Sequence, residues 1–122
     1  MNKTIVIICR DEEIGTFLCE LLTAADYQII WLLDEQEAIM RIRLIQPAIV
    51  ILEEEYKSCL QMAINIRDNV KIPLHLMIIK DKISNKQWSN LSKAGINDYL
   101  NKPIQPRVLL NKVRNVIYQS II

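Results

Sequence analysis

Three short runs of charge have residue types that could do chemistry. Glu53, Glu54 and Glu55 follow the apolar run "IVIL" at 49–52. Arg10, Asp11 and Glu12 follow "TIVIIC" at 4–9, and Lys102 and Pro103 follow "NDYL" at 97–100 with one residue between. Carboxylates so placed can hold a metal ion, do acid–base work or accept a phosphoryl group. They can equally mark where a strand reaches water. Other chemistries find few residues. No glycine-rich loop follows an apolar run, which argues against a nucleotide-phosphate cradle. No Ser or Cys stands in a plausible arrangement with a base. The single histidine, His75, lies between Leu74 and Leu76, where a neutral structural role outweighs a catalytic one.

The elements that must position these runs alternate in kind. Short β-branched stretches occur at 4–9, 27–33, 48–52 and 74–79, with a weaker one at 97–100. Between them the apolar residues take helical spacing. Ile14, Phe17, Leu18, Leu21, Leu22 and Ala25 form one face, and Ala38, Ile39, Ile42 and Ile45 a second. Met62, Ala63, Ile66 and Val70 suggest a third; Leu109, Leu110, Val113, Val116 and Ile117 form the last. Ser84 and Gln87 make a capping box, and Ile83 with Trp88 a hydrophobic staple. Gly95 suits the end of that short helix, and Pro106 the first turn of the next. Strand and helix thus alternate five times. Continuous apolar strands in that order predict an α/β fold, a doubly wound five-stranded parallel sheet with helices on both faces. In such folds the working site lies at the carboxyl ends of the strands. That rule gathers all three charged runs into one crevice.

The composition bounds the function. The 122 residues make one domain, 1–122, and 51% of them are hydrophobic, enough for a core. Fifteen Lys and Arg against 14 Asp and Glu leave a net charge of +1, with no footprint for nucleic acid or an anionic membrane. Cys9, Cys19 and Cys59 are odd in number and form no C-x-x-C pair. Reduced thiols in a cytoplasmic protein fit better than a disulfide framework or a zinc site. The start "MNKTIVIICRDEE" has no signal-peptide pattern, and no apolar run approaches the roughly 20 residues of a membrane helix.

Four segments in order resemble the receiver domain of two-component response regulators, the CheY-like family. "DYQIIWLLDEQEAI" (26–39) is similar to its second strand and helix, and "QPAIVILE" (46–53) to the stretch that ends in the phosphoacceptor Asp. "IPLHLMII" (72–79) resembles the fourth strand, and "AGINDYLNKPI" (94–104) the family's Ala-Gly-x-x-Asp-Tyr-Leu-x-Lys-Pro motif. The resemblance covers essentially the whole chain and implies a flavodoxin-like strand order of 2-1-3-4-5.

The resemblance also implies a pocket, and this chain departs from it. The family uses two acids after strand 1 and the phosphoacceptor Asp to bind Mg²⁺, a Thr or Ser at the end of strand 4, and a Lys before a Pro. Here Asp11 and Lys102 are kept, while Arg10, Glu53 and Ile78 replace the first acid, the phosphoacceptor and the hydroxyl. Asp11 and Glu53 against Arg10 and Lys102 sum to zero charge, so a salt-bridge cluster is expected in place of Mg²⁺, with no metal or other cofactor. The alternatives are that Asp11 caps a helix, that Arg10 points to solvent and that Lys102 serves a cis peptide bond. Glu54 and Glu55 are expected in a solvated loop. The implied function is signalling by a phosphorylation-independent pseudo-receiver without enzymatic activity. Phosphorylation on an unorthodox acid and a flavodoxin-like ligand-binding domain are the alternatives. Tyr99 matches the family's switch aromatic. With Trp88 and Arg107 it marks the face of helix 4, strand 5 and helix 5 for a protein partner or a homodimer, and a histidine kinase is an expected partner. Against that, Tyr99 can pack inward and Trp88 only staple its helix.

Overall fold

The computed structural model describes residues 2–119. Five strands alternate with five helices: β1 (Thr4–Cys9), α1 (Glu12–Ala24), β2 (Gln28–Leu32), α2 (Ala38–Ile45), β3 (Ile49–Glu53), α3 (Tyr56–Asn69), β4 (His75–Lys80), α4 (Asn85–Lys93), β5 (Asp98–Asn101) and α5 (Pro106–Gln119). The strands form one parallel sheet in the order β2-β1-β3-β4-β5. The expected architecture and order are both present.

Successive side chains of a strand point to opposite faces, so each inner strand feeds two cores. Val6, Ile8, Val50, Leu52, Leu76 and Ile78 pack with Ala38, Ile42, Met62, Ala63, Ile66 and Leu91 under α2, α3 and α4. Ile5, Ile7, Cys9, Ile49, Ile51, Met77 and Ile79 pack with Leu18, Leu22, Leu109, Val113 and Ile117 under α1 and α5. Burial on both faces explains the unbroken apolar runs.

Helix α1 differs in detail from its periodicity. Leu18 and Leu22 are buried, but Phe17 is 36% exposed and Ala25 faces water. Trp31 of β2 lies over Gly15 of this helix. A Cβ on Gly15 would stand 2.1 Å from the Trp31 ring. The ring is held there by its Nε1, which donates to the Cys9 carbonyl at 2.8 Å. Gly15→Ala is therefore expected to destabilise the domain. The helix gains about 1 kcal/mol of propensity, but the ring must leave its hydrogen bond and seat, which costs about 1–3 kcal/mol for overpacking plus about 1 kcal/mol for the bond. Urea unfolding with a lowered midpoint and unchanged slope checks it.

At the opposite edge, Arg67 near the end of α3 ties three elements together. Its Nε and Nη2 donate to the Gly95 carbonyl at 3.2 and 2.9 Å. Its Nη1 donates to the Leu74 carbonyl at 3.0 Å and Nη2 to Asn97 Oδ1 at 2.8 Å. Asn97 Oδ1 also accepts from the Leu76 amide at 2.8 Å, so the guanidinium sets the start of both β4 and β5. Gly95 has a φ of +107°, and a Cβ there would meet Arg67 Cγ at 2.6 Å.

Candidate functional site

The site is built at the carboxyl ends of β1, β3, β4 and β5. Cys9 is level with Glu53 across β1 and β3, and Ile78 is level with Leu52 and with Tyr99. After β5 the Lys102 amide donates to the Lys80 carbonyl at 2.9 Å, and the Lys102–Pro103 peptide bond is cis. This turn aims the Lys102 side chain at β3. Lys102 Nζ donates to Glu53 Oε2 at 2.6 Å, and the two side chains are 26% and 15% exposed. Burial opposes the charge on Lys102. The Glu53 hydrogen bond and charge outweigh it, with smaller help from Asp81 and Asp11, and hold the ammonium pKa above its ordinary value. The other Glu53 oxygen accepts from the Cys9 thiol at 3.7 Å. Burial, and then the Glu53 charge, push the Cys9 pKa up to about 11, so Cys9 is a neutral thiol near pH 7.

The expected four-member cluster does not form; two separate pairs stand in its place. Arg10 lies 3.9 Å by Nε from Glu54 Oε1 and is 69% exposed. The reason is the two-residue period of the strands. Cys9, with Ile5 and Ile7, belongs to the α1–α5 side, as do Ile49 and Ile51. Glu53 continues that parity. Arg10 and Glu54 continue the parity of Val6, Ile8, Val50 and Leu52, which face α2, α3 and α4. Arg10 and Glu53 are therefore directed to opposite sides of the sheet. Asp11 instead caps α1, its Oδ1 accepting from the Ile14 amide at 3.1 Å.

Glu54 is not the solvated loop residue expected. Its side chain is only 14% exposed, and Oε1 is buried with no hydrogen-bond partner among the described residues. Burial raises the Glu54 pKa, Arg10 opposes the rise, and Glu35, Glu53 and Glu55 add to it. Its carbonyl accepts from Lys80 Nζ at 3.1 Å and from the Cys59 thiol at 3.5 Å. Lys80 was legible by the strand-end rule that found Lys102, since it closes β4. Glu55, by contrast, is exposed.

The donor set does not fit a hard divalent cation, which needs several free oxygens at short range. One Glu53 oxygen is taken by an ammonium, Asp11 Oδ1 by a backbone amide, and the first position is a cation. Among the described residues no group of three or more His, Cys, Asp or Glu is placed to hold a metal. Ile78 is fully buried in the core and supplies no hydroxyl.

Tyr99 and Trp88 come together. Their ring centroids are 4.8 Å apart at 53°, and both are half-buried against the α2–α4 core, as is Ile83. The capping box at Ser84 and Gln87 is complete. Arg107 is exposed on α5. A groove of about 510 Å³ runs between β5 and α5, where Lys112 pairs with Asp98 at 2.9 Å. His75 lies at the other end of β4. Its Nε2 is buried without a hydrogen-bond partner among the described residues, and burial pushes its pKa down, so it is neutral near pH 7. The three cysteines are free. Among the described residues no helix is long and apolar enough to cross a membrane.

No protein-family model matches the chain. It is 36% identical over 116 residues, 94% of its length, to the circadian input-output histidine kinase CikA of Synechocystis sp.. It is 26% identical over 92% of its length to CikA of Synechococcus elongatus. The chain spans only 16% and 15% of these two relatives. A two-component response regulator from Clostridium difficile superposes with a TM-score of 0.87 at 21% identity, covering 97% of this chain and 98% of that one. The NMR structure of the CikA pseudo-receiver domain superposes with a TM-score of 0.69 at 24% identity, covering 96% and 98%.

Proposed function

We propose, for a chain that is a response-regulator receiver domain of the CheY-like type, that it works as a pseudo-receiver, signalling by protein contact without phosphorylation. One observation carries this: the glutamate at the phosphoacceptor position is closed onto Lys102 at 2.6 Å. Its carboxylate is one methylene longer than aspartate, so its oxygen is displaced from the in-line position. The acids that would hold a charge-offsetting Mg²⁺ are not assembled, since Arg10 stands at the first position and Asp11 caps α1. Mg²⁺ has no place in this function, and the domain is not an enzyme. Incubation with acetyl phosphate and Mg²⁺ is expected to leave the intact mass unchanged. A stable gain of one phosphoryl group on Glu53 would overturn the proposal.

The partner is a protein, with a histidine kinase the class that the named relatives suggest, in the cytoplasm. The face of α4, β5 and α5 is the surface proposed for it, or for a second copy. Trp88 and Tyr99 give that face a half-buried aromatic base, and exposed Arg107 and Val108 a reachable edge.

A further inference from the structure

We propose that α4 is clamped in one position, so that the face it forms with β5 keeps a single shape whatever the charge at Glu53. Two contacts tie the helix to separate neighbours, and a complete cap and a braced pair of strand ends support them. Asn90 Nδ2 on α4 donates to the Tyr56 hydroxyl on α3 at 3.0 Å. Trp88 on α4 lies over Tyr99 of β5, with centroids 4.8 Å apart. The Ser84–Gln87 box fixes the first turn, with Gln87 N to Ser84 Oγ at 3.1 Å and Ser84 N to Gln87 Oε1 at 3.3 Å. On the sheet itself, Lys80 Nζ spans from the end of β4 to the Glu54 carbonyl at 3.1 Å, holding the two strand ends together.

The clamp also has a packed base. Ile78 and Leu91 are fully buried, and Tyr56, Ile83, Trp88 and Tyr99 pack partly buried against the same core. For Tyr99 to change its position, Trp88 must move. Trp88 cannot move far without its helix, and the helix is held through Asn90 and the buried Leu91. A bistable element needs two arrangements of similar free energy. Here one arrangement collects every one of these contacts, and the Glu53–Lys102 pair belongs to the other side of the sheet. Of the groups that make the domain a pseudo-receiver the clamp shares only the buried Ile78 and uses neither Glu53 nor Lys102, so the two proposals can fail separately.

Relaxation-dispersion NMR on the full chain tests the clamp, because it reports microsecond–millisecond exchange. No dispersion is expected for residues 83–99 of the wild type. Asn90→Ala removes an exposed side chain and one tie, and Trp88→Leu removes the ring. Each should introduce exchange in α4 and raise amide hydrogen exchange there about ten-fold relative to the wild type, the effect of one lost hydrogen bond or ring contact. Asn90→Ala keeps the test open if Trp88→Leu fails to fold. Dispersion across 83–99 in the wild type, or unchanged exchange in Asn90→Ala, would overturn the clamp. Beryllofluoride with Mg²⁺ separates the two proposals. Shifts at 53 and 102 that stop short of α4 would support the clamp and overturn the pseudo-receiver. Shifts that reach 83–99 would overturn both; no shift anywhere supports the pseudo-receiver, and the dispersion and exchange results then decide the clamp.

Discussion

Lys102→Met is expected to cost the domain about 2–3 kcal/mol, below the usual cost of breaking a fully buried ion pair because both side chains keep some solvent. Methionine keeps the length of the stem but leaves Glu53, at 15% exposure, facing a thioether and a thiol. Glu53→Gln should cost less, because a neutral amide is cheaper to leave half-buried. The double variant should recover part of the loss, and the coupling between the two positions measures the pair itself. The dependence on pH has a definite sign. The folded-state pKa of Lys102 is raised above the ordinary 10.5. Its contribution is therefore fully present below that ordinary value and fades as pH rises through the higher folded-state value. Urea unfolding should show a wide gap between wild type and Lys102→Met at neutral pH, and a gap that narrows as pH rises through the raised folded-state value. An equal gap at both would mean that packing of the lysine stem, and not its charge, carries the effect.

Arg67→Met should be more damaging still, at about 3–5 kcal/mol for a charged group with several hydrogen bonds removed at once. The guanidinium satisfies the carbonyls of Gly95 and Leu74 and the Asn97 amide oxygen. Methionine can fill the space of the stem over Gly95 but can donate to none of them. Arg67→Lys is expected to recover little, because a single ammonium cannot address acceptors set for a planar fork. Thermal unfolding of the three forms orders them, and Lys falling close to wild type would contradict the fork argument.

Most strands and helices could be read from the sequence because their apolar residues keep one period, with α1 departing from it only at Phe17 and Ala25. The inner strands are apolar on both faces, and the α4 cap is spelled by Ser84 and Gln87. Arg67 and the Gly15–Trp31 contact could not be read that way. Each joins residues far apart in sequence, and neither residue type marks its own partner. The site was legible in part. Lys102 and Glu53 could be paired from charge and strand order, but charge and the place after strand 1 also put Arg10 in the pocket, and there they mislead. Counting by twos from Ile8 and from Leu52 sends Arg10 and Glu54 to the same side, since parity along a strand decides which residues can meet. Glu54 was passed over because a run of three acids suggests water, whereas only Glu55 of the three is exposed.

The chain has 2 tryptophans, and the fold has put one in each layer. Trp31 packs with the α1–α5 core and Trp88 with the α2–α4 core. Each therefore emits from its own compartment, with the sheet between them. A variant keeping only Trp31 would report optically on one layer, and a variant keeping only Trp88 on the other. The domain thus contains a pair of built-in lamps. Their colours, followed together through unfolding, would show whether the two halves of the molecule come apart in step.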